Sequence, residues 1–488
     1  MGARDPFLVD PPTSKEKRQP DYSQLFSPTD FRYQVKELLP FLSEEAYVTY
    51  KARIEGALAL ELAKNGLCSQ EVAQEIVRAA EGVTAGEVYE EEERIRHDIR
   101  ALANVIQRKV SDAARPYVHL TATSYDIVDT ANSLRFKDAI LHVILPDLLR
   151  LESVLIQLAR KYSSTAQIGR THGQHAEPIT AGFFFACYVS RLGQRIEAIH
   201  NAAQDLTGKF AGAVGVYGPL SLIVKDPEEF EHELLSSLGL KSSEISTQIV
   251  QPEPLTDLIH SVVSTFGVVA NFARDARHLQ RTEISEMSEA FGTEQVGSST
   301  MPQKRNPINF ENVESMWKKF MPQMVTVYMD QISEHQRDLT NSSSQRYLPE
   351  LLVAFDYSVR RLTRTLWDER NSRLKLVVDE KMLRANLSLS ADKIVSEPLY
   401  ILLAAAGHPD AHEAVRRLVQ ESIDKKKSFR ELIKADPLLS NYFAKLPPDI
   451  WELLENPTEY RGIADKKTVK IATAWKSRIA EISKSLPR

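Results

Sequence analysis

Residues 126–163 read DIVDTANSLRFKDAILHVILPDLLRLESVLIQLARKYS. Val128, Ala131, Leu134, Leu141, Leu145, Leu148, Leu151, Leu155 and Leu158 recur at mostly three- and four-residue steps. That spacing lays one long apolar stripe along a helix. Pro146 falls inside the stripe and is expected to kink the helix without ending it. Such a run far exceeds the ordinary helix of ~11–12 residues, which leaves a coiled coil, a membrane span or a long bundle. The heptad is not strict, and no apolar run reaches about 18 residues, so no membrane helix is expected. A long helical bundle remains.

The same habit recurs on either side. Residues 180–206 carry Phe184, Tyr188, Leu192, Ile196 and Ile199 at helical spacing. Residues 255–288 carry Leu255, Leu258, Val262, Phe266, Val269, Phe272 and Leu279, and further segments span about 308–330 and 349–371. These stripes are too extensive for one chain to bury, so self-association is expected. Between residues 28 and 115 the helices are shorter. Ser43 is placed to cap a helix whose first turn holds Glu44 and Glu45, Gly66 to stop it, and Ser69 to cap the next. Beyond about residue 372 the lengths shorten again, with breaks at Gly407-His408-Pro409, Pro437, Pro447-Pro448 and Pro457. The expected architecture is all-α: a disordered tail (1–26), a small helical domain (27–118), a long-helix bundle (119–371) and a second small helical domain (372–488).

Bulk composition narrows the function. The 488 residues are 43% hydrophobic and 26% charged, enough for a large core. Lys and Arg total 61 against 66 Asp and Glu, a net charge of −5, so nothing asks for nucleic acid. The two cysteines, Cys68 and Cys187, lie far apart, which argues against a disulfide framework or zinc site and for a reducing compartment. The first twenty residues have no apolar core of the secretory kind, and a cytoplasmic location is expected. No metal and no cofactor are expected.

Three short runs carry chemistry. Gly297-Ser298-Ser299-Thr300-Met301-Pro302-Gln303-Lys304-Arg305-Asn306-Pro307 is an amide-rich loop that its prolines keep out of a helix. Such a loop can wrap an anion with N–H groups and bring it a hydroxyl and a cation. Gly169-Arg170-Thr171-His172-Gly173-Gln174-His175 lies between two long helical stretches, so that His172 stands at a bundle-helix end, able to titrate near neutrality. Thr123-Ser124-Tyr125-Asp126 opens the long helix, where hydroxyls and free N–H groups can hold a carboxylate.

The first run resembles the signature GSSxMPxKxNP of the fumarase/aspartase lyase superfamily and matches every fixed position. GRTHGQ and the Thr123–Asp126 run resemble its other two blocks. The resemblance implies β-elimination of a C–N or C–O bond, usually with release of fumarate. Further elements are similar to those of adenylosuccinate lyases: Ser27-Pro28-Thr29-Asp30-Phe31-Arg32-Tyr33, Arg96-His97-Asp98-Ile99, His119 to Thr130, and Gln336-Arg337-Asp338-Leu339-Thr340-Asn341-Ser342 followed by Arg346. They run in family order from about residue 27 to 346. The C-terminal third resembles the family more weakly.

That resemblance implies roles. Ser298 is the base, His172 the acid, His97 its support near the phosphate, and Lys304 the cation that favours the serine alkoxide. Thr123, Ser124, Thr171, Gln248 and Asn306 hold the substrate. Arg32, Tyr33, Arg337, Ser342 and Arg346 match phosphate-binding positions, and planar guanidinium forks suit a substrate carrying a phosphate and two carboxylates. Arg170 and Arg305 are additional candidate cations. The sequence departs at Gln248-Ile249-Val250-Gln251-Pro252-Glu253-Pro254, where relatives often carry a basic residue after the glutamine. The resemblance further implies a small-molecule substrate and a homotetramer with active sites shared between chains. The rival lyases are an argininosuccinate lyase or a carboxymuconate cycloisomerase, against which Arg32-Tyr33 and Arg337…Ser342…Arg346 argue. A non-enzymatic protein on the same fold would not need Ser298, His172 and Lys304 together.

Overall fold

A computed structural model describes residues 23, 25–292, 295–445 and 455–487. The tail assigned to residues 1–26 falls largely outside the described residues, as does the Pro447-Pro448 break. The deciding stretch is one unbroken rod: α-helix Ser124–Ala139, a π-helical turn Ile140–Ile144, and α-helix Leu145–Lys161. The wide turn sits just ahead of Pro146. A proline lacks the N–H for an i→i−4 bond and its ring collides with the carbonyl four residues back, and the π turn absorbs both.

Four more helices close a ring with the second half of this rod. Leu145–Lys161 packs on Ala181–Gln204, which packs on Glu253–Leu279; that helix packs on Ile308–Phe320, which packs on Leu348–Leu366, and the last returns to Leu145–Lys161. The predicted apolar positions fill the space between them: Leu148, Leu151, Leu158, Ile196, Leu258, Val262 and Phe266 are buried. Glu253–Leu279 is long and apolar enough to cross a membrane by length and composition alone. Two-thirds of its most apolar window is buried in the bundle instead, as befits a core helix. It also ends nine residues early. Ser285 takes a positive φ of 51°, and Met287–Ser288 pairs antiparallel with Val377–Val378. The segment expected at 308–330 is two helices, Ile308–Phe320 and Gln323–Met329, parted at Pro322.

At one end lie Glu44–Lys64, Gln70–Glu81, Ala85–Ile95 and Asp98–Arg108. Ser43 Oγ accepts from Ala46 N–H at 3.1 Å, Ser69 Oγ from Val72 N–H at 3.3 Å, and Gly66 adopts φ 72°. Toward the C-terminus, Val395, Leu399, Leu403, Val415, Leu418, Phe429, Ile433 and Leu439 form a separate apolar cluster. The helix Ala464–Ser485 lies outside that cluster and docks on Leu145–Lys161 and Ala181–Gln204. A Cβ at Gly193 would stand 2.4 Å from the Trp475 ring, so only glycine admits this approach.

Among the described residues the architecture is all-α apart from a two-stranded hairpin, Ala166–Thr171 with Gln174–Thr180, and three two-residue pairings. The hairpin corrects the reading of Gly169–His175 as a helix-end loop. Thr171 pairs with Gln174, and His172 (φ 54°) and Gly173 (φ 75°) make the turn between them. Two consecutive positive φ values are what a tight two-residue hairpin demands.

Candidate functional site

Five separate segments converge on a cavity of about 540 Å³. Its lining includes His97, Ser124, Gln248, Arg337, Ser342 and Arg346, all singled out from the sequence. His97 is the N-cap of Asp98–Arg108, and its Nδ1 accepts the Arg100 N–H at 3.2 Å. Ser124 is the first residue of the long rod, so its hydroxyl stands at a helix N-terminus, where the dipole favours an anion. The preceding Thr123 N–H donates to Asp126 Oδ2 at 2.8 Å, which fixes that helix start; Thr123 itself does not line the cavity. Arg337 lies over the Tyr125 ring, 3.9 Å from its centre, and donates to the Tyr125 hydroxyl. Asp338 is held as an anion, its carboxyl pulled down to about 2 first by the Thr340 hydroxyl and N–H.

The Gln248 segment is anchored from below. Val250 N–H donates to Asp129 Oδ2 at 3.1 Å, one helical turn after Tyr125. Asp129 is buried, and desolvation pushes its carboxyl up to about 6 against the pull of that bond and of Arg337.

The glycine-serine loop is folded on itself. Ser298 Oγ accepts two backbone N–H groups, from Met301 at 3.1 Å and Thr300 at 3.3 Å. Asn306 Nδ2 donates to Gly297 O at 3.1 Å and ties the loop's ends together. A Cβ on Gly297 would sit 2.1 Å from Lys304 O, so that crossing requires glycine. Lys304 is exposed, and its N–H bonds Met301 O at 3.0 Å. Arg305 rests 5.1 Å from the Phe291 ring centre. The exit is pinned by Glu289, whose carboxylate accepts the N–H groups of Asn309 and Phe310, each at 2.9 Å.

The hairpin carries Thr171 and His172 at its exposed tip. Its base is clamped by Glu286, a carboxylate with no solvent exposure. Arg170 donates to both Glu286 oxygens, at 2.6 and 3.1 Å; Gln167 Nε2 adds a bond at 2.8 Å and Asn386 Nδ2 one at 2.9 Å. Arg170, a candidate substrate cation by sequence, is therefore committed to the fold. His175 Nδ1 meets Ser390 Oγ at 2.8 Å, so the helix Glu380–Ile394 braces the hairpin twice.

Ser298, His172, Lys304, Thr171 and Asn306 do not line the cavity of this single chain. Neither do Arg32, which is exposed beside the Phe31 ring, nor Tyr33, whose ring packs 5.0 Å from Tyr357. Sequence reasoning missed Tyr47, Asn132 and Arg135, which do line it.

A family model described as Lyase matches residues 35–321, and one described as Adenylosuccinate lyase C-terminal matches residues 333–447. The chain is 35% identical over 450 residues to a protein of Pyrococcus horikoshii named adenylosuccinate lyase, covering 91% of this chain and 96% of that one. It is 31% identical over 459 residues to the Methanocaldococcus jannaschii protein of the same name, covering 92% and 96%. Among solved structures it superposes on a 3-carboxy-cis,cis-muconate lactonizing enzyme from Pseudomonas putida with TM-score 0.79 at 24% identity, covering 93% of this chain and 99% of that one. A fumarate lyase from Mesorhizobium sp. BNC1 matches with TM-score 0.78 at 21% identity, covering 90% and 98%. The two structural likenesses establish the fold.

Proposed function

The chain belongs to the adenylosuccinate lyase family, and on that premise we propose that it splits adenylosuccinate into AMP and fumarate in purine biosynthesis. The same site removes fumarate from the succinylaminoimidazole carboxamide ribonucleotide. Both substrates carry a phosphate and a succinyl amine, so one set of anion contacts serves both. The observation that carries this reading is the convergence of His97, Ser124, Gln248, Arg337, Ser342 and Arg346 on one cavity.

In the proposed chemistry Ser298 removes a proton from the succinyl carbon next to a carboxylate. The electron pair left behind forms the double bond of fumarate as the C–N bond breaks, and His172 delivers a proton to the departing nitrogen. A serine hydroxyl is a weak base in water. The Thr300 and Met301 N–H groups aimed at Ser298 Oγ stabilise the alkoxide, and so lower the cost of forming it. Lys304 adds a positive charge to the same loop. Arg32 and Tyr33 join Arg337, Ser342 and Arg346 on the phosphate, while Thr123, Thr171 and Asn306 orient the succinyl end.

Sites shared within a homotetramer suit these positions. His172 stands on a projecting hairpin and Ser298 on a surface loop, both outside the cavity of their own chain. Exposed Val325, Tyr328, Met329 and Ile332 offer apolar surface for a second copy. The division at residues 27–118, 119–371 and 372–488 assigns the cavity to the first two domains. A cytoplasmic setting fits two free thiols, Cys68 and Cys187. The test is fumarate release by purified protein from adenylosuccinate, from the imidazole ribonucleotide and from argininosuccinate. Turnover of the first two is expected; release from argininosuccinate alone would sink the reading.

A further inference from the structure

Arg135 lies on the helix Ser124–Ala139 and lines the cavity, yet it is only 4% exposed. Arginine is almost never buried to that degree without a counter-charge. Among the described residues none reaches it as a contact ion pair, and Glu44 acts on it only at longer range. Arg135 Nε donates to Asn132 Oδ1 at 3.0 Å, and its guanidinium carbon lies 4.3 Å from the Tyr47 ring centre and 4.8 Å from that of Phe136. Its terminal nitrogens make no hydrogen bond, and no carboxylate comes within 4 Å among the described residues. Charges of both signs surround it: Glu44 acts on it from a distance, and Glu92, Asp98 and Asp338 line the cavity. Lys51 Nζ sits 3.8 Å from the same Tyr47 ring, and Arg337 and Arg346 line the same cavity. Of these acids, Asp98 already faces Lys51 at 4.0 Å and His97 at 3.7 Å. Burial draws the Arg135 guanidinium down to about 10, which still leaves it a cation at neutral pH.

A desolvated cation without a partner destabilises a fold unless a ligand completes it. We propose that Arg135 is a direct ligand of the substrate phosphate, adding to Arg337 and Arg346 a third guanidinium from the cavity wall, beside Arg32, for a dianion. The inference rests on the functional reading above and sharpens it. A phosphate dianion offers three oxygens and two charges, whereas one succinyl carboxylate offers two oxygens and one charge, and guanidinium forks bind such oxygens in pairs. Asn132 and the Tyr47 ring hold Arg135 in place beforehand, so its binding needs little reorganisation.

The test uses the full chain with Arg135→Met and Arg135→Lys, titrated with AMP, adenosine and fumarate by calorimetry. The Met variant is expected to weaken AMP at least about thirtyfold, to leave fumarate and adenosine within about twofold, and to melt higher than the wild type without ligand. The Lys variant keeps the charge but loses the fork and falls between the two. AMP affinity within twofold of wild type in the Met variant would overturn this inference alone. Fumarate weakened in place of AMP would overturn the phosphate assignment. A wild-type protein that binds no AMP would overturn the functional reading as well. Should the Met variant fail to fold, inorganic phosphate is the probe: it must raise the melting temperature of wild type, and an equal rise in the Lys variant would overturn the proposal.

Discussion

Glu286→Gln should separate the placement of His172 from the binding of nucleotide. In the wild type one buried carboxylate receives four N–H donors from Arg170, Gln167 and Asn386. Glutamine has nearly the same shape, but its amide NH₂ must face at least one of those donors, and Arg170 loses its counter-charge. Removing one partner of a buried ion pair typically costs about 3–5 kcal/mol. If about 2 kcal/mol of that falls on hairpin docking, the docked-to-undocked ratio drops about thirtyfold. Steady-state fumarate release should then show kcat reduced about ten- to hundredfold, while calorimetric AMP affinity stays within about threefold, because Glu286 is not part of the cavity wall. Amide hydrogen exchange should rise across residues 166–180. A wild-type kcat despite faster hairpin exchange would refute the link between docking and catalysis. An equal loss of kcat and AMP binding would show that the clamp merely holds the whole fold together.

Ser298→Ala should nearly abolish kcat and preserve affinity, because the hydroxyl acts mainly in the transition state, whereas Ser299→Ala should be milder; the reverse order would displace Ser298 as the base. Ser298→Ala and His172→Ala proteins, dissociated and reassembled together, should recover about one quarter of wild-type activity if each site draws the two residues from different chains. Mixed oligomers verified by mass that stay inactive would defeat the shared site. Glu152 is fully buried with neither carboxylate oxygen bonded, and desolvation raises its pKa well above the ordinary value. The folded state therefore binds this proton more tightly than the unfolded chain, and stability falls as pH rises above the ordinary carboxyl range, by about 1.4 kcal/mol per pH unit while the group stays protonated. Glu152→Leu should melt higher than wild type, by a margin that widens from pH 5 to pH 7; a margin independent of pH would show that Glu152 is not taking up a proton on folding.

Much of the scaffold was legible because apolar spacing states it directly. The stripe through Leu148, Leu151 and Leu158 announces a helix, and Pro146 announces a local accommodation, though not that a π turn would provide it. The early end at Leu279 was not legible, since neither glycine nor proline stops the helix before Glu286, which is recruited to a distant clamp. Nor was the hairpin, whose strands are short, irregular at Ile168 to Arg170, and set between long helices. His172-Gly173 between two pairing residues was its one local sign. In the site, the family-like motifs located Arg337, Ser342 and Arg346. They could not reveal Arg135, because whether an arginine is solvated or stranded depends on the fold around it.

The docking of Ala464–Ser485 on the bundle bears on how the chain is made. Arg478 reaches Glu197 across 281 residues of sequence, and Trp475 closes over Gly193. On a ribosome, the helices around Gly193 emerge long before the segment that covers them, so a nascent chain displays bare apolar surface for most of its synthesis. Closing so long a loop adds only slowly to the entropy already lost, since that term grows with the logarithm of length. The exposure is therefore one of waiting time more than of free energy. Chaperone dependence should follow the pace of translation through the final third of the message.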